Sequence, residues 1–217
     1  MIHKTIQNKY SLVLPFATII GLLLFSSCSD NGSGPEEPQS EIQAETVADL
    51  HAPSNRTNPD ARFILFSLRT GQDVDIADSA STNWDIGFRG TDIIVNSGTS
   101  GPGSAGAVVL DVAFEEVTIA PESGYTSDSA EAKAVSEWYN YTGQTGNPQH
   151  AVITLDKTIV VRTADGNHYG KLEIMSYYEG NPDTSTEEFA NLATRATEGY
   201  FTFRYAVQLE ENLRDLE

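Results

Sequence analysis

The stretch Asn83–Leu110 constrains the fold most, because short apolar runs alternate there with glycine. Two such runs, Trp84–Phe88 and Ile93–Val95, lie on either side of Gly90. Large side chains alternate along each run, which is the pattern of a β-strand with one buried face. The sequence therefore predicts two consecutive strands joined by a short turn, with Trp84 as the main core side chain.

A glycine-rich loop follows the second of these strands. Ser97–Gly106 holds four glycines and one proline in ten residues, so it lacks the large side chains needed to form a core. A glycine backbone takes positive φ readily and lets another chain or a ligand approach closely. The apolar run Ala107–Leu110 predicts a third strand after the loop. We therefore expect a strand–strand–glycine loop–strand unit.

The remaining chain repeats short β-prone runs that are divided by turn residues. Residues 164–167 include Asp-Gly, which favours a tight hairpin. Residues 130–138 have alanine and tryptophan four apart, and Ser185 and Glu188 have capping-box spacing, so each segment predicts a short helix. Residues 138–141 alternate as a strand would, so the boundary between the first helix and a strand stays open. The further predicted strands are Arg62–Leu68, Ala113–Ile119, Val152–Leu155, Ile159–Arg162, Tyr169–Tyr178 and Gly199–Val207, with a loop at Asp73–Ser81. This pattern predicts a mainly β fold: a single antiparallel β domain, as a twisted sheet or sandwich, with one or two short helices.

The first 27 residues have the composition of a signal peptide. Lys4 and Lys9 precede Ser11–Phe25, an apolar run of 15 residues that is short for a membrane span. Small residues then precede Cys28, which is the only cysteine in the chain. This arrangement is typical of a bacterial lipoprotein that is lipidated on that cysteine. A plain signal peptide followed by an incidental cysteine is the alternative.

The predicted organisation after the signal peptide is a tether, a domain and a charged end. Residues 28–45 are polar and rich in Ser, Gly, Pro and Glu, which predicts a flexible tether. Residues 46–209 form the predicted β domain, and residues 210–217 a charged tail. Without residues 1–27, 11 basic residues remain of 13, against 31 acidic ones, so the net charge is −20. Such a surface repels nucleic acid, and we expect membrane attachment only through the lipid.

Several motifs resemble those of the HmuY family of bacterial lipoproteins. They are Asn83-Trp84-Asp85, Asn96-Ser97-Gly98 with its Gly/Ser loop, Gly106-Ala107-Val108, Pro121–Tyr125, the hairpin Arg162–Gly166 and the final Phe201–Tyr205. The resemblance covers roughly residues 63–208. It implies a nearly all-β protein of the outer membrane, at the cell surface or the periplasmic face. It also implies binding of haem or a related porphyrin, which a TonB-dependent outer-membrane receptor then takes up.

The candidate ligand-binding residues lie in one stretch of the chain. Haem binding requires an apolar slot and axial ligands, commonly His, Met, Tyr or Cys. His150 is the candidate metal ligand, because it follows a glycine-containing loop and lies within a dozen residues of Trp138, Tyr139 and Tyr141. These three aromatic residues are candidate haem contacts. The alternative is a surface histidine beside aromatic side chains that pack the sheet.

The family resemblance implies two histidine ligands, which this sequence does not match. Residues 126–137 and 142–144, where those ligands are expected, contain no histidine. Met175 is the only methionine beyond the signal segment and is interpreted as a core side chain. The sequence also lacks the spacings of known nucleophile, zinc and phosphate-loop motifs, so we expect no enzyme.

Two functions follow from the sequence. The first is a lipid-anchored haem-binding protein for haem uptake, with its pocket between the glycine loop and the segment Trp138–His150. The second is a surface lipoprotein of the same fold that binds a protein or glycan partner and no haem. The missing pair of histidines favours the second.

Overall fold

The computed structural model describes residues 42–217. The predicted signal peptide, Cys28 and the predicted tether as far as residue 41 lie outside the described residues. No helix within residues 42–217 has the length and apolar character needed to cross a membrane.

The described residues form mainly antiparallel β-structure, as the sequence predicts. The strands are β1 (Glu45–His51), β2 (Ile64–Ser67), β3 (Gln72–Val74), β4 (Ile86–Arg89), β5 (Asp92–Val95), β6 (Gly106–Leu110), β7 (Tyr139–Tyr141), β8 (Val152–Thr154), β9 (Thr158–Arg162), β10 (Tyr169–Tyr178) and β11 (Glu198–Gln208). The helices are α1 (Glu187–Ala190) and two 3₁₀ turns, Ile76–Asp78 and Phe114–Glu116.

These strands form two main sheets and a separate hairpin. The larger sheet has the order β1-β11-β10-β9-β6, and the smaller one has the order β3-β2-β4-β5. All neighbouring strands in both sheets are antiparallel. β7 and β8 form the hairpin. The unit predicted around the glycine loop is therefore divided: β4 and β5 pair in the smaller sheet, and the loop carries the chain across to β6 in the larger one.

The two sheets pack face to face through aromatic side chains. Phe203 of β11 lies near the centre, with ring centroids 5.4 Å from Phe66 of β2 and 5.3 Å from Phe88 of β4. Phe201 and Tyr205 are two residues away on either side and are also buried, which confirms that these three residues share a face. Burying a side chain of this size contributes about 1.5–3 kcal/mol, so this cluster is a main source of stability.

Trp84 is fully buried, as predicted, but it lies outside this inter-sheet cluster. It packs with Leu65 and Ile94 on the other face of the smaller sheet. Its Nε1 donates a hydrogen bond of 3.0 Å to the carbonyl oxygen of Ser79. The loop before β4 is thereby fixed over the outer face of the smaller sheet.

Asp85, the next residue, links the smaller sheet to the turn between β9 and β10. Its side chain is fully buried and accepts hydrogen bonds from the backbone N–H of Leu68 at 2.9 Å and of Ala164 at 2.8 Å. Arg69 donates to both carboxylate oxygens, and its other amino group reaches Asp165 at 2.9 Å. In the Asn83-Trp84-Asp85 motif, Trp84 and Asp85 therefore stabilise the fold.

The helix predicted over residues 130–138 is wrong. The buried carboxylate of Asp128 accepts hydrogen bonds from the backbone N–H of Val95 at 3.0 Å and of Ala134 at 2.8 Å. Val135 forms a single β-bridge to β5. A helix of this length is marginal by itself, and Asp128 takes the N–H of Ala134, which the helix would need.

The strand predicted over residues 113–119 is also wrong, because this segment contains the 3₁₀ turn at Phe114–Glu116. The buried side chain of Lys171 donates to the carbonyl oxygens of Phe114 at 3.0 Å and of Val117 at 2.8 Å. Both carbonyls thus turn towards one ammonium group, which an extended strand with alternating carbonyls does not allow.

Three smaller predictions differ at their boundaries. The loop predicted to start at Asp73 begins later, because residues 72–74 form β3. Helix α1 exists, but its N-cap is Thr186 rather than Ser185; the Thr186 hydroxyl accepts from the N–H of Phe189 at 3.2 Å. Residues 210–217 are packed at their end, where Leu216 is buried and donates its N–H to the carbonyl of Thr118 at 2.7 Å.

Candidate functional site

A cavity of about 230 Å³ lies where β1 ends and β11 begins. This volume is below the roughly 300–1,000 Å³ of most small-molecule sites, so the cavity accommodates only part of a larger ligand. Its lining comes from segments that are distant in sequence: Ser54, Arg56, Thr91, Tyr139, Tyr141, Val152, Tyr177 and Glu198. Three tyrosines and one pair of opposite charges therefore dominate its chemistry.

The β7–β8 hairpin forms one wall of the cavity. Tyr139 and Tyr141 are two residues apart in β7, so their side chains leave the strand on the same side. Tyr141 pairs with Val152 across the hairpin. Tyr139 is half-buried, whereas Tyr141 is 53% exposed. The two rings thus give the cavity an aromatic wall that extends into solvent.

Trp138 holds this hairpin on the core and does not line the cavity. Its side chain is 2% exposed, and its ring centroid lies 4.7 Å from that of Tyr139 and 5.4 Å from that of Phe201. Its Nε1 donates to the carbonyl oxygen of Thr91 at 3.3 Å. Its place in the core agrees with the alternative that this aromatic residue packs the sheet.

Tyr141 and His150 form a hydrogen-bonded pair. Tyr141 Oη and His150 Nδ1 are 2.8 Å apart. The backbone of His150 is held at φ 51°, with its N–H donating to the carbonyl of Gly143 at 2.8 Å. Arg195 donates to the carbonyl oxygen of His150 at 3.1 Å. The structure thus brings His150 and Tyr141 together, with the imidazole beside the cavity and the phenol in its lining.

Burial controls the protonation of Tyr177, which lines the inner part of the cavity. Burial raises the pKa of Tyr177 well above its ordinary value, and the negative charge of Glu198 acts in the same direction. Arg56 acts in the opposite direction but does not cancel these effects. Tyr177 is therefore a neutral phenol at physiological pH and offers one hydroxyl group as donor or acceptor.

The other candidate side chains lie elsewhere. His51 stacks on Tyr200, with ring centroids 4.3 Å apart, and His168 Nδ1 lies 3.0 Å from a carboxylate oxygen of Asp165. Met175 is 42% exposed on β10, so its interpretation as a core side chain is wrong. Cys28 lies outside the described residues.

The glycine loop contacts its own chain and does not line this cavity. At Gly101, an added Cβ would come within 2.7 Å of Trp84 Cζ2. At Gly103, it would come within 2.9 Å of the carbonyl oxygen of Ala164. The N–H of Gly103 donates to Asn96 Oδ1 at 3.0 Å. The close approach that the glycines permit is therefore to the protein itself, and the cavity at the β7–β8 hairpin is lined without this loop.

We expect Gly98→Ala to lower the free energy of unfolding by about 2 kcal/mol, which combines left-handed strain of about 1–2 kcal/mol with displacement of neighbouring backbone. Gly98 has φ 58°, and a Cβ would collide with the carbonyl oxygen of Asp128. Urea denaturation of both proteins measures the difference. Gly180→Ala is the control, because Gly180 has φ 77° but no atom within 4 Å of the added Cβ. An equal loss in both variants would contradict tight packing at Gly98.

The side chains at the cavity suit a metal that is already held in a planar ring. Within residues 42–217, no group of three or more His, Cys, Asp and Glu side chains is placed to bind a bare metal ion. A metal in a macrocycle needs only one or two axial donors, and tyrosine and histidine are both among the side chains that bind haem iron. Tyr139 adds an aromatic face, and Arg56 adds a positive charge. A ring of this kind would cover the mouth of the cavity, because a volume of about 230 Å³ is too small to enclose it.

Sequence reasoning found the β7 tyrosines and missed the other half of the cavity. Arg56 and Thr91 lie in turns, and Glu198 is the first residue of a strand. None of these three has a local pattern that marks a binding residue. For Tyr177, the alternating run that forms β10 predicted a position in a strand but gave no indication of a binding role.

These features define the class: a mainly β domain with a tyrosine-lined cavity beside its core. The family model described as HmuY protein matches residues 60–205, which is more than half of the chain. The chain belongs to the HmuY family, so the resemblance noted in the sequence is confirmed. A search of curated proteins finds no match. Among solved structures, the apo HmuY analog of Tannerella forsythia (TFO) is similar at 14% identity and a TM-score of 0.41, over 78% of this chain and 96% of that one.

Proposed function

We propose that this chain is a lipid-anchored protein that captures haem or a related porphyrin and passes it, chemically unchanged, to a TonB-dependent outer-membrane receptor. One observation supports this proposal: in a chain of the HmuY family, Tyr141 Oη and His150 Nδ1 lie 2.8 Å apart at a tyrosine-lined cavity, and both side chains are of types that bind haem iron. The role is binding and delivery, without catalysis.

Each part of the site has a separate task in this function. The rings of Tyr139 and Tyr141 pack against the planar ligand. Arg56 attracts the carboxylates of a porphyrin, which a surface of net charge −20 would otherwise repel. Tyr141 and His150 supply the donor for the metal. Haem and other ferric porphyrins are therefore preferred to uncharged planar ligands.

The course of β1 supports presentation of the cavity away from a lipid anchor. The chain enters the described domain at Ile42, whose N–H donates to the carbonyl of Glu217 at 3.4 Å. β1 then runs seven residues to His51, which is roughly 20 Å at 3.3 Å per residue. The cavity residues Ser54 and Arg56 follow directly. If Cys28 is lipidated and anchored in the outer membrane, the chain would therefore enter the domain at the end of β1 that lies away from the cavity.

We expect purified Cys28→Ser protein to bind hemin at a one-to-one ratio, with a shift of the Soret band on titration. His150→Ala is expected to change this spectrum or weaken binding, since His150 contacts the donor Tyr141. His168→Gln is the control, because His168 pairs with Asp165 and not with Tyr141. The absence of any Soret shift in the Cys28→Ser protein would contradict haem binding.

The exposed Tyr141 and Arg56 favour one alternative, in which the same surface binds a protein or glycan partner and no haem. Tyr and Arg are enriched where binding energy concentrates in protein interfaces. The second histidine that the family resemblance implies is not replaced at this cavity by another histidine or a methionine. In that case the Soret band of hemin would not shift in the presence of the protein, while Tyr141→Ala would weaken binding of the partner.

A further inference from the structure

We propose that Tyr141, rather than His150, binds the iron of a ferric porphyrin through its phenolic oxygen, with His150 as the hydrogen-bond partner that positions this oxygen. This inference rests on the proposed function and names the metal-binding atom, Tyr141 Oη. It also assigns a different role to His150, which positions and polarises the ligand without touching the metal.

The position of the two side chains favours the tyrosine. Tyr141 belongs to the lining of the cavity and is 53% exposed, whereas His150 does not belong to that lining. A planar ligand that packs on Tyr139 and covers the mouth therefore meets Tyr141 before His150. The half-buried Tyr139 packs against Trp138 and serves as a platform.

His150 is held as a partner for the phenol. Its backbone is fixed on both sides, through its N–H to Gly143 and its carbonyl oxygen to Arg195. Nδ1 lies 2.8 Å from Tyr141 Oη, which is the distance of a good hydrogen bond. In the tautomer with Nδ1 unprotonated, the phenol donates to the imidazole. Outer partners of this kind orient a metal ligand and raise its basicity.

The binding step balances without another reactant. The O–H bond of Tyr141 breaks, its proton forms an N–H bond at His150 Nδ1, and the phenolate oxygen bonds the iron, which stays ferric. The phenol and imidazole become a phenolate–imidazolium pair, so the protein gains no net charge. Phenolate is an anionic oxygen donor, and tyrosine is a known axial ligand of haem iron. The site therefore selects ferric over ferrous haem.

The test compares Tyr141→Phe, Tyr139→Phe and His150→Ala in the Cys28→Ser protein, with hemin as the probe. We expect the unsubstituted protein to show a phenolate-to-iron charge-transfer band in the visible spectrum. Tyr141→Phe should abolish the band and lower the affinity for hemin by a larger factor than the affinity for metal-free protoporphyrin. Tyr139→Phe should keep the band, since it removes only the other hydroxyl on the same wall.

The effect of His150→Ala distinguishes a positioning residue from a ligand. We expect the band to remain and hemin affinity to fall about 10–100-fold, as for other outer partners of metal ligands. His150→Gln should recover part of this loss, because its amide oxygen also accepts a hydrogen bond. Hemin binding without the band in the unsubstituted protein, or a band that persists in Tyr141→Phe, would overturn this inference alone. A failure of hemin to bind would overturn the proposed function as well.

Discussion

Asp85→Asn is expected to lower the free energy of unfolding by about 3–4 kcal/mol, near the lower end of the range for removing one partner of a buried ion pair. The carboxylate accepts from two backbone N–H groups and from Arg69, and its side chain is fully buried. Asparagine has one acceptor and one donor group there, so its amide N–H₂ would face an N–H or the guanidinium. Arg69 keeps 23% exposure and its pairing with Asp165, which limits the loss.

Two opposing effects act on the pKa of the Asp85 carboxyl. Burial raises the pKa of the Asp85 carboxyl, while the N–H of Ala164 and the Arg69 guanidinium act to lower it. Urea denaturation at neutral pH measures the expected loss. Asp92→Asn is the matched control: its pair with Arg89 spans 3.4 Å and Asp92 is 53% exposed, so we expect a change of about 0–1 kcal/mol. Equal effects at both positions would show that Asp85 does not link the sheets.

Trp138→Ala is expected to lower the free energy of unfolding by about 3–5 kcal/mol, the range for removing a large aromatic side chain from a core. Trp138 contacts Tyr139, Tyr177 and Phe201, and its Nε1 bonds to the loop between β4 and β5. Its loss would leave a void directly behind the cavity wall. We therefore expect the β7–β8 hairpin to loosen and ligand affinity to fall with stability.

Thermal or urea unfolding of Trp138→Ala and Tyr141→Phe tests the division of roles along this stretch. Tyr141 is 53% exposed, so Tyr141→Phe should change stability by no more than about 0.5 kcal/mol while altering the hemin spectrum. Trp138→Phe should restore much of the lost packing. A stable Trp138→Ala protein that has lost hemin binding would place Trp138 in the binding site instead of the core.

Local patterns predicted most strands because alternation has a direct physical cause. Side chains alternate between the two faces of a strand, and the centre of β11 follows this rule, whereas β4 and β5 are buried on both faces. The shared face of Phe201, Phe203 and Tyr205 was predictable for the same reason. The predictions failed where side chains took the backbone hydrogen bonds: Asp128 accepts from the nearby N–H of Ala134, and the distant Lys171 donates to the carbonyl of Phe114.

The sequence by itself determined a mainly β chain of the HmuY family and brought Tyr139 and Tyr141 to one side of a strand. Only the tertiary structure decided that the glycine loop packs on its own chain, that Trp138 belongs to the core, and that Arg56, Tyr177 and Glu198 join the tyrosines. The physical reason is that alternation is local, within a few residues, whereas a cavity depends on which distant strands pair and in what register. That pairing is set by sheet hydrogen bonds and the aromatic core, which no single segment contains.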